Sequence, residues 1–100
     1  MPCRNRELEF DILHLIYQSP VPLTTVEVIE ALSDKHLCNY CSFQSFRSFV
    51  IKKLNWFTRR VTLYVDGESY DRNRHWYMTD LGKYYTDGLI KQRNGNLVHA

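Results

Sequence analysis

Long hydrophobic runs are missing from this chain of 100 residues. No apolar stretch approaches the roughly 20 residues that a transmembrane helix requires, and the first residues lack the apolar segment of a signal peptide. We therefore expect a cytoplasmic protein. Glycine and proline are scarce, with four and three residues, and no low-complexity segment is present. At this length we expect one domain over residues 1–93, followed by a frayed tail at residues 94–100.

Cysteine is also scarce, and its odd count of three argues against a disulfide framework. Cys38 and Cys41 are three positions apart and follow His36, so these side chains are of the types that zinc prefers, and Cys3 is a possible fourth ligand. No second ligand pair accompanies them, which favours free thiols and no metal. A redox pair is a further alternative, although the βαβ context of thioredoxin-like proteins is missing.

Catalytic motifs are absent from the sequence. There is no phosphate-binding glycine-rich loop and no HExxH motif, and the histidines have no nucleophile beside them and no carboxylate placed to orient them. Glu7, Glu9 and Asp11 lie near the start of a predicted helix, where they complement its dipole and do not form an acid–base pair. We expect no enzymatic activity, no cofactor and no small-molecule ligand.

Acidic residues are missing from one third of the chain. Residues 1–34 hold two basic and six acidic side chains, whereas residues 35–65 hold no Asp or Glu. The basic residues of this acid-free segment are Lys35, Arg47, Lys52, Lys53, Arg59 and Arg60. Local positive charge of this kind suits contact with a polyanion, even though the net charge of the chain is only +2. The alternative is an ordinary solvated basic face.

Two amphipathic helices are predicted in the first third of the chain. Apolar residues recur at intervals of three and four over residues 6–17, which is typical of a helix packed on one side. The prolines in residues 19–22 end that helix. Thr24 and Glu27 have the spacing of a capping box and begin a second helix. Residues 33–40 are predicted to be a connection.

A third helix is predicted at about residues 42–56. Its apolar side consists mainly of Phe residues, and its opposite side carries short polar groups and cations without a carboxylate, whereas an ordinary exposed helix mixes Glu with Lys. Such side chains suit contacts to base edges and phosphates. The candidates for reading bases are Ser42, Gln44, Ser45, Arg47 and Ser48. The candidates for binding phosphates are Lys52, Lys53, Arg59 and Arg60.

A β-hairpin and a last helix are predicted next. Residues 60–65 and 75–79 alternate with period two and flank a polar tip at residues 66–74. Thr79 is the predicted N-cap of the last helix, whose apolar side holds Leu81, Tyr84, Tyr85 and Leu89. The aromatic residues of this region other than Tyr70 suit core packing and subunit contact better than stacking on single-stranded bases. The candidate contact residues in the hairpin tip are Tyr70, Arg72, Asn73 and Arg74.

This order of elements resembles the winged helix-turn-helix superfamily. The segment Trp76-Tyr-Met-Thr-Asp-Leu-Gly-Lys83 is similar to the Y-x-L-T-x-x-G-[RK] signature of PadR-like and MarR-like regulators of bacteria and phages. The resemblance implies an α+β fold with three helices, a two-stranded hairpin wing and a C-terminal helix. Trp76 and Met78 then point inward, and Gly82 is the signature glycine. No glycine follows Leu54, where these regulators usually turn from helix into strand.

The resemblance implies sequence-specific binding of double-stranded DNA by a small transcriptional regulator. The third helix then enters the major groove, the wing at residues 66–74 lies on the DNA backbone, and the first and last helices form a homodimer. The alternative is a winged-helix module that binds another protein, as an adaptor or an antagonist, without binding DNA. The acid-free segment favours DNA, whereas Asp66, Glu68 and Asp71 in the hairpin tip argue mildly against contact with phosphates.

Overall fold

A computed structural model describes the backbone of residues 2–66 and 74–99 and the side chains of residues 6–66 and 74–95. The helices of this part of the chain are α1 (Pro2–Gln18), α2 (Thr25–His36), a 3₁₀ helix (Leu37–Asn39), α3 (Phe43–Arg59) and α4 (Asp80–His99). The strands are β1 (Leu23–Thr24), β2 (Leu63–Asp66) and β3 (His75–Met78). The fold is therefore α+β. None of the helices described has the length and apolar character needed to cross a bilayer.

The sheet has three antiparallel strands in the order β1-β3-β2. Strands β2 and β3 pair as the sequence predicts, with Tyr64 opposite Tyr77. Strand β1 adds a third member, in which Leu23 is opposite Trp76. The sequence did not predict β1, because two residues are too few to show an alternating pattern.

Helix α2 begins at the predicted capping box. The Glu27 amide donates to Thr24 Oγ1 at 3.2 Å, and the Thr24 amide donates to Glu27 Oε1 at 2.9 Å, which confirms the prediction. The helix ends later than expected, since residues 33–36 are helical and not part of a connection. The reason is tertiary: His36 is buried, and its Nε2 donates to Asp11 Oδ2 of α1 at 2.6 Å.

The hydrophobic core lies between α1, α2, α3 and the inner face of the sheet. Trp76 of β3 is fully buried, as the sequence predicts. Its indole Nε1 donates to Thr25 Oγ1 at 2.8 Å, so the one polar atom of this large side chain is satisfied inside the core. The other fully or nearly fully buried apolar residues are Leu8, Ile12, Leu13, Ile16, Val28, Ile29, Leu32, Phe46, Val50, Leu54, Phe57 and Leu63.

Helix α3 ends in a Schellman motif at a residue that is not glycine. The Thr62 amide donates to the Phe57 carbonyl at 2.9 Å, and the Val61 amide donates to the Thr58 carbonyl at 3.1 Å. Val61 has a φ of 60°, the left-handed conformation that this motif requires and that glycine usually supplies. The turn occupies residues 60–62, so β2 begins at Leu63 and not at Arg60 as predicted.

Thr79 caps α4, as the sequence predicts, because the Gly82 amide donates to its Oγ1 at 2.9 Å. The Thr79 amide also donates to the Thr62 carbonyl at 3.2 Å, which joins α4 to the turn after α3. Gly82 is required at this contact, since a Cβ atom there would lie 2.0 Å from the Thr62 carbonyl oxygen.

Most of the apolar side chains of α4 face solvent. Tyr84 is 81% exposed, and Leu81 and Tyr85 are also exposed, whereas the buried positions within residues 80–95 are Gly82 and Thr86. Of the two uses predicted for these aromatic residues, core packing is therefore wrong for Tyr84 and Tyr85, and subunit contact stays a prediction. The helix also includes residues 94–99, which were predicted to be a frayed tail.

Candidate nucleic-acid interface

The first turn of α3 is fixed by Ser42. Its hydroxyl oxygen accepts a hydrogen bond from the Ser45 amide at 3.1 Å and lies 3.3 Å from the Ser45 hydroxyl. Ser42 is therefore the N-cap of the helix. Both side chains are exposed, so the cap orders the start of α3 while leaving the two hydroxyls at the surface.

A polar line runs along the exposed side of α3, and we define it as Gln44, Ser48, Lys52, Asn55 and Arg59. These positions are three or four residues apart, so they lie above one another on the same face of the helix. Four of them are exposed, and Asn55 is partly buried. At about 1.5 Å per residue the line extends for roughly 22 Å. It contains no carboxylate, and Gln44, Ser48 and Lys52 also line a shallow depression.

Arg47 lies beside the polar line near the N-terminal end of α3. Its side chain is exposed, and it follows Gln44 by three residues, which places it about 60° away around the helix axis. Ser45 lies on the other flank of the line. The structure therefore brings four of the five predicted base-reading residues, Gln44, Ser45, Arg47 and Ser48, onto one exposed surface, with Ser42 at its edge.

Two cations of the acid-free segment are paired with carboxylates of α1. Lys53 Nζ lies 2.5 Å from Glu9 Oε1 and is only partly exposed, so it faces α1 and lies away from the polar line. Lys35 Nζ lies 3.1 Å from Glu7 Oε2 and 3.0 Å from Asp11 Oδ2. The sequence count of six basic residues therefore overstates the positive charge available to a partner, because the pairing depends on tertiary packing.

The other four cations form no ion pair within the described part of the chain, and all four are exposed. They are Arg47, Lys52, Arg59 and Arg60. The Arg60 guanidinium lies 4.3 Å from the centroid of the Trp56 ring, a cation–π contact that holds the flat group in place. Its N–H donors form no hydrogen bond to a residue that the structure describes. We call these four residues the α3 cations.

Part of the predicted wing lies outside the described residues. This applies to Tyr70, Arg72 and Asn73, whose contacts stay predictions. Arg74 immediately precedes β3, is partly buried, and places its guanidinium 4.9 Å from the centroid of the Trp76 ring. Arg74 is therefore at the base of the hairpin, packed against the edge of the core.

The thiols of Cys38 and Cys41 are free and exposed. His36, the nearest candidate ligand in sequence, is buried and donates its Nε2 proton to Asp11. Within residues whose side chains the structure describes, no three His, Cys, Asp or Glu side chains come together as a metal site. The His36–Asp11 bond thus gives His36 a structural role.

Three exposed apolar residues near the end of α3 were not identified from the sequence as a surface. Trp56 is 43% exposed, and Leu81 and Tyr85 of α4 are 56% and 51% exposed. Trp56 follows Lys52 by four residues, so its place at the edge of the polar line was visible in the helical period. Its approach to Leu81 and Tyr85 was not, because it depends on how α4 docks on the turn after α3.

No protein-family model, curated protein or solved structure matches this chain.

Proposed function

We propose that this protein binds double-stranded DNA sequence-specifically, as a small transcriptional regulator with a winged helix-turn-helix domain. The observation that carries the proposal is the surface of α3, where a carboxylate-free polar line includes two of the α3 cations, Lys52 and Arg59. None of the α3 cations forms an ion pair with a described residue. The line contains amide and hydroxyl groups, which can donate and accept hydrogen bonds at base edges. The cations supply the attraction to phosphates that every DNA-binding protein requires.

The proposed wing geometry draws support from the sheet. Strands β2 and β3 form an antiparallel pair with β1 on the far side of β3, and the two helices before the pair are α2 and α3. This arrangement is compatible with a helix-turn-helix followed by a hairpin wing. In the proposal, α3 enters the major groove and residues 66–74 lie along the flanking backbone.

Different residues have different roles in this proposal. Gln44, Ser48 and Arg47 read bases, and Arg47 makes a bidentate contact to a guanine, the commonest specific contact in the major groove. Lys52, Arg59 and Arg60 bind phosphates. We leave Lys53 out of the phosphate set, since its ammonium is paired with Glu9.

The first test separates base reading from phosphate binding. A preferred site is selected from a random duplex library, and binding of that site and of a scrambled duplex is measured by fluorescence anisotropy. Arg47→Ala is expected to cost about 1–3 kcal/mol on the selected site and much less on the scrambled duplex, because a base contact is lost. Lys52→Ala is expected to weaken both duplexes alike.

The control for this test is Lys91→Ala, which removes an exposed lysine of α4 that pairs with Asp87 and leaves α3 unchanged. Its affinity for both duplexes is expected to equal that of the wild type. Equal losses for Arg47→Ala on the two duplexes would show that Arg47 does not read bases. Failure of the wild type to bind any duplex at low salt would contradict the proposal as a whole.

We also propose a homodimer formed through α1 and α4. Its support is the apolar surface that α4 leaves exposed at Tyr84, next to an open position at Gly88 where no atom lies within 4 Å of an added Cβ. A twofold dimer would present two copies of α3 to half-sites about one helical turn apart. Sedimentation equilibrium of the wild type and of Tyr84→Glu tests this, with a monomer expected only for the variant.

A further inference from the structure

An apolar groove lies between the C-terminal end of α3 and the first turns of α4. It has a volume of about 400 Å³ and is lined by Trp56, Phe57, Arg60, Thr62, Leu81 and Tyr85. We call it the α3–α4 groove. Its walls are the exposed faces of Trp56 on one side and of Leu81 and Tyr85 on the other. The polar line on α3 does not extend onto the α4 wall.

The composition of the α3–α4 groove is typical of an anchoring site for a protein. Trp, Tyr and Arg are the residues most enriched among those that dominate binding energies, and all three occur here beside one leucine. Exposed apolar side chains gathered around a groove indicate an interaction surface, whereas isolated ones do not. Leu81 and Tyr85 lie one helical turn apart on α4, so a single inserted side chain can touch both.

The charge of the lining points to the chemistry of the partner. Arg60 is the one ionisable cation among the lining residues, and no carboxylate is among them. Its guanidinium lies over the Trp56 ring. This stacking holds the paired N–H donors of the guanidinium beside the apolar surface of the groove. A carboxylate matches these paired donors in geometry and charge. The adjacent Arg59 adds a second exposed cation.

We propose that the α3–α4 groove docks an acidic segment of a partner protein. The segment inserts one large apolar side chain between Trp56 and the pair Leu81 and Tyr85, and it places an Asp or Glu carboxylate on Arg60. Nucleic acid fits this groove less well, because Arg60 is the one cation among the lining residues and the groove is lined mainly by large apolar and aromatic side chains. The proposal does not depend on DNA binding by α3.

The test starts from a random dodecapeptide library displayed on phage and panned on the wild-type protein, with counter-selection on Leu81→Glu. The enriched sequences are expected to contain one Phe, Trp or Leu flanked by Asp or Glu. The most enriched sequence is then made as a fluorescent peptide and titrated against the wild type. Tyr85→Ala is expected to weaken the peptide about tenfold or more, as truncation of an anchoring residue does.

Matched controls come from residues that do not line the groove. Tyr64→Ala removes an exposed tyrosine of β2 that does not line the groove and should leave the peptide affinity unchanged. Arg59→Ala should weaken the peptide less than Arg60→Ala does. Circular dichroism and thermal unfolding check that each variant is folded, which is expected because Leu81, Tyr64 and Tyr85 are exposed in the wild type.

Several outcomes would overturn the proposal. One is an absence of enrichment, and another is enrichment of peptides without acidic residues. Equal effects of Tyr64→Ala and Tyr85→Ala would place the peptide elsewhere. If Leu81→Glu converted a dimer into a monomer in sedimentation, a second copy of the chain would be the occupant. If Tyr85→Ala weakened a DNA duplex and no peptide bound, the groove would belong to the nucleic-acid surface.

Discussion

Val61 adopts a backbone conformation that its side chain opposes. Its φ of 60° is in the left-handed region, where a β-branched residue is strained by about 1–3 kcal/mol. The side chain is 59% exposed, so little apolar burial compensates for that strain. Val61→Gly is expected to raise the free energy of unfolding by about 1 kcal/mol, because the relief of strain exceeds the larger chain entropy that glycine adds to the unfolded state.

Thermal unfolding measures this effect, with an expected increase in Tm of about 4–8 °C for each kcal/mol in a domain of this size. Val61→Ala is the control, since it shortens the side chain but keeps the Cβ atom that causes the strain. A rise in Tm for alanine equal to that for glycine would show that the backbone conformation of Val61 is not the cause.

Single residues differ in how well the sequence predicts them. The caps at Thr24 and Thr79 were predictable, because a hydroxyl before a helical pattern satisfies amides within three residues of itself. The left-handed conformation of Val61 was not predictable, because a β-branched residue disfavours it and contacts with residues distant in sequence hold it in place. The Thr62 carbonyl next to it accepts the Thr79 amide and packs on Gly82, so the turn is fixed by α4.

At the scale of elements, α1 and α2 are joined by a charged cluster around Asp11. Its carboxylate accepts a hydrogen bond from His36 and contacts Lys35. Partial burial raises the pKa of Asp11, but the hydrogen bonds from His36 and Lys35 and the charge of Lys35 outweigh it, so the pKa lies below its ordinary value of 3.8. The hydrogen bond from Lys35 likewise lowers the pKa of Glu7 below 4.5.

Asp11→Ala is expected to lower the free energy of unfolding by about 1.5–3 kcal/mol at neutral pH, because buried His36 loses a charged hydrogen-bond partner. A carboxyl group with a depressed pKa in the folded state stabilises the fold above its unfolded pKa, and this stabilisation is lost as pH falls through the folded pKa. The difference in the free energy of unfolding between wild type and Asp11→Ala should therefore have its largest value at pH 7 and decrease below about pH 3.8.

Urea unfolding at pH 7 and pH 3 measures both quantities. Asp87→Ala is the control, because it removes an exposed carboxylate that pairs with Lys91 on α4, and exposed pairs contribute only about 0–1 kcal/mol. If the free energy of unfolding differed between wild type and Asp11→Ala by the same amount at pH 7 and at pH 3, that result would mean that the Asp11 charge does not stabilise the α1–α2 contact.

The predicted elements agree with the structure wherever a pattern is long and local. Helical periodicity of apolar residues over ten or more positions predicts α1, α2 and α3. Period-two alternation in two neighbouring segments predicts the β2–β3 pair. The differences arise at tertiary contacts. Helix α2 extends to His36 because of Asp11, and β1 forms because Leu23 meets β3. The exposure of Tyr84 and Tyr85 could not be predicted, since periodicity shows an apolar side but not what covers it.

At the scale of the whole molecule, folding redistributes the charge that the sequence displays. The carboxylates of α1 neutralise Lys35 and Lys53. The four α3 cations stay exposed and form no ion pair within the described part of the chain. The cations available to bind DNA are therefore determined by the ion pairs of the folded protein as well as by the composition of the segment. The candidate surface of α3 was predictable in its residue types, but the exclusion of Lys53 required the structure.

This redistribution predicts the salt dependence of DNA binding. Each phosphate neutralised by a cation contributes about −0.9 to the slope of log K against log salt concentration. Lys52→Met is expected to make the slope shallower by about that amount per protomer bound. Lys53→Met is expected to leave the slope unchanged, because Lys53 is paired with Glu9 in the free protein. The Lys53 ammonium also lies 5.5 Å from the centroid of the Phe49 ring, a place that a Met thioether can take.

Anisotropy titrations on one duplex over a range of salt concentrations give the three slopes. The comparison is internal, since the two lysines are adjacent in sequence and carry the same charge, so a uniform effect of net charge would change both slopes equally. Equal changes in slope for Lys52→Met and Lys53→Met would show that DNA binding depends on the total charge of the protein and not on the position of the lysine. A change for Lys52 alone would establish that the side of α3 opposite α1 is the one that contacts DNA.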